Sequence, residues 1–341
     1  MINTVIRKPG EAIDFETVFV ENTELLPDFT KLAEHAPEAF KEKLKPLIDK
    51  YPASGNIPEK VGRFERFDYK TAVYEDGVTY DKYANVYLPW CYDPADKERK
   101  YNIVYFQHGN TGDPEGFTSP HMKLLLDRLF YTEGVDPCIM VFTTYYFDVT
   151  KDVEVRRTTG NVPAGDEGWD GCKHNFWMEV LLDLIPAVET RYNTYLTGTS
   201  EAELKANRDH RAFSGYSRGC AFTWSMVHHA LEYFRYYIPM SCISTAGHNI
   251  FRDKFTNEEV VDYLTSSMKA HPELPFFIYA FNGGTMDIAF MADQMNALIK
   301  APEIHFSSDQ TQGNFYYCES GYNHGDPYAV TYYYNALPKI W

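Results

Sequence analysis

Short apolar runs alternate with longer amphipathic runs along the chain from residue 102 onward. The apolar runs are typical of buried parallel strands, and the amphipathic runs are typical of the crossover helices between them. The pattern therefore predicts an α/β fold with a mainly parallel central sheet flanked by helices. Strands are expected at 102–107, 138–145, 211–214, 237–242, 275–282 and 314–319, and helices at 122–132, 176–192, 221–234, 289–299 and 328–336.

The first part of the chain has a different pattern. Residues 26–50 are rich in Ala, Glu and Lys and contain Pro27, Pro37 and Pro46, which predicts short helices broken by proline. We expect residues 1–61 to form a helical extension packed on a main domain that spans 62–341. The main domain is expected to begin with a hairpin, because alternating runs at 64–69 and 78–88 flank a turn sequence, Glu75-Asp76-Gly77.

Charge and composition exclude several classes of protein. The net charge of -16 and the lack of a basic cluster argue against a nucleic-acid partner. No stretch approaches the ~18 apolar residues of a membrane span, so no membrane partner is expected. Residues 1–11 lack the apolar core of a signal peptide, which makes a cytoplasmic location the default expectation, although a secreted protein whose signal has been removed would look the same.

The six cysteines show no C-x-x-C pair, which argues against a zinc site or a redox dithiol. Most are interpreted as small buried hydrophobic residues, and their even number leaves disulfides open. The positions are Cys91, Cys138, Cys172, Cys220, Cys242 and Cys318.

A G-x-S-x-G pentapeptide at Gly215–Gly219 follows a predicted strand and precedes a predicted helix. In this context the glycines allow a sharp bend that presents the serine as a nucleophile at the edge of the sheet. The alternative is an ordinary glycine-bounded turn. The strand, turn and helix context favours Ser217 as the nucleophile.

A serine nucleophile needs a histidine base and an acid that orients the base, and in α/β-hydrolases these follow in the order Ser, acid, His. Asp287 follows the strand predicted at 275–282, and His324 follows the last predicted strand. Asp287 could instead cap a helix, and Asp293 and Asp309 are weaker candidates for the acid. We therefore expect a Ser217-Asp287-His324 triad that requires no metal or organic cofactor.

Acyl transfer also needs hydrogen-bond donors for the developing oxyanion. One is expected from the backbone N–H of Arg218, directly after the nucleophile. Another is expected from the N–H of Asn110, in the loop that follows the strand at 102–107. The alternative for His108-Gly109 in this loop is a plain glycine turn.

Taken in order, these segments resemble carbohydrate esterase family 1, the feruloyl and acetyl-xylan esterases also called the esterase D or putative esterase family. The likeness covers roughly 62–341 and implies an α/β-hydrolase fold, the Ser217-Asp287-His324 triad and ester cleavage on plant cell-wall polysaccharide. Two features depart from the family: Arg218 stands where relatives often have Met, and the oxyanion turn is less rich in glycine. The segments that carry the resemblance are 86–89, 105–109, 184–192, 210–217, 284–287 and 321–324.

The sequence constrains the identity of the acyl group less than it constrains the type of reaction. Tyr145, Tyr146, Trp169 and Tyr322 are candidates to stack on an aromatic acyl group or a sugar, with core or loop packing as the alternative. The expected partners are feruloylated or acetylated xylan fragments or small aryl esters. Acetyl, siderophore or thioester hydrolysis remains an alternative, as does a carbohydrate-binding protein without catalysis, and the oligomeric state is left open.

Overall fold

The structure is a computed structural model. It describes Lys45 and residues 58–109, 112–118, 120–132, 134–146, 175–241, 256–283, 293–320, 324 and 326–341. The extension predicted at 1–61 lies almost entirely outside the described residues, so it and the division at residue 62 stay predictions.

The centre of the molecule is an eight-stranded sheet in the order β1-β2-β4-β3-β5-β6-β7-β8. The first two strands form the predicted hairpin and run antiparallel, while β3 to β8 run parallel to one another. This arrangement confirms the predicted α/β sheet. The strands are β1 (Arg63–Thr71), β2 (Tyr80–Leu88), β3 (Ile103–Gln107), β4 (Ile139–Thr143), β5 (Arg211–Tyr216), β6 (Tyr236–Met240), β7 (Phe277–Gly283) and β8 (Phe315–Ser320).

Helices cover both faces of the sheet, and a buried apolar cluster lies on each face. Residues 175–191 are helical, with a π-helical stretch at Val180–Leu184, and residues 293–298 form a short helix. The remaining helices are α1 (Pro120–Asp127), which continues as a π-helix over Arg128–Thr132, α2 (Ile185–Arg191), α3 (Glu201–Ala206), α4 (Arg218–His229), α5 (Asn257–Ala270) and α6 (Asp326–Ile340).

Two helices, α3 and α5, are absent from the predicted set although the sequence marks their first turns. Ser200 caps α3 and Glu203 completes a capping box with it, while Thr256 and Glu259 form the same arrangement at α5. Each box satisfies N–H groups that have no partner within the helix. The S-x-x-E and T-x-x-E spacings were therefore the signals that could have located both helices.

The helix after the pentapeptide was predicted at 221–234 and lies instead at Arg218–His229. Its start is earlier because the chain turns directly from β5 through Ser217 into the helix. Its end is earlier because Ala230 has φ -132°, outside the helical region.

The start of β5 is anchored by a buried ion pair. The Arg211 guanidinium donates to both carboxylate oxygens of Glu189, from Nε at 2.6 Å and from Nη2 at 2.9 Å. The Tyr105 hydroxyl donates to the same carboxylate at 2.9 Å, and the charge of Glu189 contributes to raising the pKa of Tyr105, after burial itself. Because both side chains are almost fully buried, neither charge can be solvated by water if its partner is lost.

Glu189→Ala is therefore expected to lower the free energy of unfolding by about 3–5 kcal/mol, since it leaves the Arg211 charge buried and uncompensated. Urea unfolding of the variant and the wild type measures this loss. Asp262→Ala, which breaks the exposed Lys269–Asp262 pair in α5, is the matched control and should cost no more than about 1 kcal/mol. Equal losses in the two variants would contradict the buried role of Glu189.

Four of the six cysteines are described, namely Cys91, Cys138, Cys220 and Cys318. Cys91 is partly buried and the other three are buried, as expected for small hydrophobic residues, and burial raises the pKa of Cys138. Cys172 and Cys242 lie outside the described residues. Within the described ranges, no helix is long and apolar enough to cross a membrane, and no three His, Cys, Asp or Glu side chains are placed to hold a metal ion.

Candidate active site

Ser217 occupies the tight turn between β5 and α4. Its backbone lies in the left-handed region, with φ 55° and ψ -120°, which is rare for a residue with a side chain and is found at strained functional turns. The Ser217 N–H donates to the Met240 carbonyl at 2.9 Å, so the turn is tied to the end of the neighbouring strand β6. The serine is thus held at the carboxyl edge of the parallel sheet, where ligands bind in α/β folds.

The two glycines of the pentapeptide are required by close backbone contacts. A Cβ at position 215 would lie 2.1 Å from the Gly219 carbonyl oxygen. A Cβ at position 219 would lie 2.0 Å from the Gln107 carbonyl oxygen. Since both obstacles are backbone atoms, no side-chain rotation can relieve them, and the turn predicted from the sequence has the geometry that the glycines suggested.

His324 contacts the serine from the loop between β8 and α6. Its Nε2 lies 2.9 Å from Ser217 Oγ, within hydrogen-bond distance. The imidazole ring packs beside the Tyr216 ring, with 5.1 Å between centroids. The nucleophile and base predicted from the order of the chain therefore meet, and an imidazole at this distance can take the serine proton.

The predicted acid, Asp287, lies outside the described residues. Of the two weaker candidates, Asp309 precedes β8 and so lies toward the amino edge of the sheet, away from Ser217. It is exposed and accepts hydrogen bonds from the N–H and hydroxyl of Thr311, which lower its pKa. Asp293 is exposed at the start of a short helix. Asp287 stays the predicted acid.

The expected oxyanion site is partly described. Arg218 is the first residue of α4, where backbone N–H groups have no partner within the helix and the helix dipole favours negative charge. The loop after β3 reaches the same point: a Cβ on Gly109 would lie 3.1 Å from the Cβ of Ser217. Asn110 lies outside the described residues, so its role as the second donor stays a prediction.

The side chain of Arg218 has a protein partner. Burial raises the pKa of Tyr145, and the nearby positive charge of Arg218 opposes part of this rise.

The four aromatic residues predicted to contact substrate differ in their placement. Tyr145 is 1% exposed and Tyr146 is 2% exposed. Both rings pack against the imidazole of His108, at 4.8 and 5.2 Å, and the Tyr145 ring stacks on Phe222. These contacts support the packing alternative for both tyrosines, because neither ring has a face open to a ligand. Trp169 and Tyr322 lie outside the described residues and stay predictions.

Four of the other described histidines lie away from Ser217. His210 precedes β5 at the opposite edge of the sheet, where its Nδ1 lies 2.8 Å from Asn102 Oδ1. Its partial burial lowers its pKa. His228 and His229 lie in the last turn of α4, and His305 precedes β8.

Comparisons with known proteins agree with this fold. No family model matches the chain. Endo-1,4-beta-xylanase Y of Acetivibrio thermocellus is 31% identical over 269 residues, which is 78% of this chain and 22% of the xylanase. The chain thus spans about a fifth of the length of this curated relative.

Two solved structures match this chain over most of their own length. A serine-to-alanine mutant of the feruloyl esterase module from Clostridium thermocellum, complexed with sinapinate, is 26% identical with a TM-score of 0.68, covering 83% of this chain and 89% of the module. A protein designated FAE is 26% identical with a TM-score of 0.67, covering 89% and 92% of the two chains.

A more distant structure shares the fold. It is a CE1 ferulic acid esterase from Anaeromyces mucronatus, 16% identical with a TM-score of 0.60, and the match covers 85% of this chain and 94% of the esterase. The mainly parallel sheet, the serine turn between β5 and α4, and the matched relatives agree with one another. The chain has the α/β-hydrolase fold and is similar to the feruloyl esterases of carbohydrate esterase family 1.

Proposed function

We propose that this protein is a serine carboxylesterase that hydrolyses feruloyl and related hydroxycinnamoyl esters on plant cell-wall polysaccharide or its oligosaccharides. The observation that carries the proposal is the 2.9 Å approach of His324 Nε2 to Ser217 Oγ on a left-handed turn at the carboxyl edge of the sheet. A strained serine beside an imidazole is the arrangement that acyl transfer requires.

In the proposed mechanism, Ser217 Oγ attacks the ester carbonyl carbon while His324 Nε2 takes the hydroxyl proton. The carbonyl oxygen becomes an oxyanion, which the backbone N–H groups of Arg218 and Asn110 would stabilise. Collapse of this intermediate breaks the bond to the alcohol, which leaves with the proton from His324. Water then attacks the acyl-enzyme with His324 as base, releasing the acid, and Asp287 orients the imidazole throughout.

The relatives support an aromatic acid and a sugar alcohol as the two halves of the substrate. Sinapinate, a methoxylated hydroxycinnamate, is bound in the related feruloyl esterase module. The curated relative is named a xylanase, and this supports xylan fragments as the sugar part of the proposed substrate. We therefore place feruloylated xylan fragments first among substrates and acetylated xylan second.

Labelling with a fluorophosphonate tests the nucleophile and the reaction together. We expect the probe to modify Ser217, as located by peptide mass spectrometry, and to abolish methyl ferulate hydrolysis in the same sample. A fluorophosphonate reacts with an activated serine and leaves a merely exposed hydroxyl unmodified. No labelling of the folded protein, together with binding to xylo-oligosaccharides, would instead support a carbohydrate-binding protein without catalysis.

Rates with matched esters then define the acyl group. Methyl ferulate, methyl sinapate, acetylated xylan and S-formylglutathione are compared by kcat/KM at one pH and one enzyme concentration. We expect the two hydroxycinnamates to be preferred. A preference for acetylated xylan or for the thioester would retain the nucleophile and overturn the proposed substrate class.

A further inference from the structure

The Gly109 carbonyl, next to the reacting serine, is held by three donors. His108 Nδ1 lies 2.7 Å from this oxygen, the Gly112 N–H donates to it at 3.1 Å, and the Tyr145 hydroxyl donates at 3.4 Å. A carbonyl oxygen can only accept hydrogen bonds. His108 Nδ1 must therefore carry its hydrogen.

The second nitrogen of the same ring contacts Thr144, the first residue after β4. His108 Nε2 lies 2.8 Å from Thr144 Oγ1, and the Tyr146 N–H donates to the same hydroxyl oxygen at 3.2 Å. A neutral imidazole has one N–H, so Nε2 accepts and the Thr144 hydroxyl donates. Thr144 thus selects the tautomer that His108 needs in order to hold Gly109.

Thr144 is in turn held by a buried charge pair. Lys82 Nζ donates to the Thr144 carbonyl at 2.8 Å and to Glu179 Oε2 at 2.8 Å. The side chains of Lys82 and Glu179 are fully buried, and the hydroxyls of Tyr69 and Tyr74 donate to the carboxylate of Glu179. Burying two charges is costly, and these added hydrogen bonds offset the cost while fixing the position of Thr144.

We infer that His108 and Thr144 are positioning residues for catalysis: they hold the loop after β3 against Ser217 so that its peptide groups are aligned before the oxyanion forms. The inference rests on the proposed esterase function. Donors that are fixed in advance stabilise a developing charge without reorganising, so loosening them weakens binding of the transition state more than binding of the ground state. Neither side chain needs to touch the substrate.

Thr144→Val tests the inference, because valine has nearly the same shape but cannot donate to His108. We expect kcat for methyl ferulate to fall about 10- to 100-fold with little change in KM, a smaller loss than deletion of an oxyanion donor. Affinity for an aryl boronic acid, which forms a tetrahedral adduct with the active serine, should fall by the same factor. Affinity for ferulate, the product acid, should be unchanged.

Further variants separate positioning from stability. Thr144→Ser retains the hydroxyl and should restore kcat, and His108→Asn, whose amide can donate from near the Nδ1 position, should retain more activity than His108→Leu. Thr265→Val is the matched control, since this buried threonine donates within α5, to the Val261 carbonyl at 2.8 Å, and lies outside the site. It should leave kcat unchanged.

The outcomes distinguish the positioning role of His108 and Thr144 from the proposed esterase function. Wild-type turnover with unchanged kcat and boronate affinity in Thr144→Val would overturn the positioning role alone. Equal losses of affinity for boronate and for ferulate would also overturn it, because they would show general damage to the site. Absence of wild-type turnover would overturn the proposed function and this inference with it.

Discussion

Replacing Ser217 with alanine is expected to lower kcat for methyl ferulate about a million-fold and to leave the protein folded. The variant removes the atom that forms the acyl-enzyme, and the remaining triad members cannot substitute for it. The backbone strain at φ 55° is retained because alanine also has a Cβ. Single-turnover kinetics and thermal unfolding of the two proteins measure both effects.

Ser241→Ala is the control for this experiment. Ser241 follows the neighbouring strand β6, is fully buried and also has a left-handed backbone, with φ 51°. Its Oγ has no hydrogen-bond partner in the described part of the chain, so its removal should cost little stability. We expect this variant to retain activity. If Ser217→Ala retained turnover comparable to that of Ser241→Ala, Ser217 would not be the nucleophile.

Replacing Asp287 with asparagine is expected to lower kcat about 10,000-fold, the second largest effect on activity. The carboxylate is expected to accept from the imidazole of His324 and to stabilise the imidazolium that forms during attack. An amide can favour the wrong tautomer. Because this substitution nearly conserves volume, stability should change little, and kcat measured alongside urea unfolding separates the two effects.

Asp309→Asn is the matched control for the acid. Asp309 is exposed on the loop before β8, where it caps Thr311, and the variant should retain wild-type kcat. A large loss in Asp309→Asn with none in Asp287→Asn would transfer the role of the acid to Asp309.

Ser217 and His324 could be selected from the sequence as the predicted nucleophile and base because their signals are local. The strand, the glycine-bounded turn and the helix around Ser217 are contiguous, and His324 follows the last strand. Carboxyl ends of parallel strands share one edge, so order along the chain predicts proximity in space. The structure places Ser217 Oγ and His324 Nε2 2.9 Å apart, and their catalytic roles stay a prediction.

The role of the aromatic residues could not be predicted in the same way. Tyr145 and Tyr146 follow a strand, as a substrate-binding pair would, yet both rings are buried against His108. The sequence gives the position of an aromatic residue along the chain. The exposure of its ring depends on which residues pack against it in the folded protein. That packing comes from the loop after β3 and from α4, which are distant in sequence.

The sequence by itself determined the fold class, the serine turn and the order of the predicted nucleophile and base, because each depends on periodicity or on short, contiguous segments. Only the tertiary structure showed that Lys82, Thr144 and His108 form a continuous hydrogen-bonded path to the Gly109 carbonyl. These residues lie on different strands and strand ends, and nothing in their spacing marks them as partners. They meet because the antiparallel pairing of β2 with β4 and the parallel pairing of β4 with β3 bring their ends together.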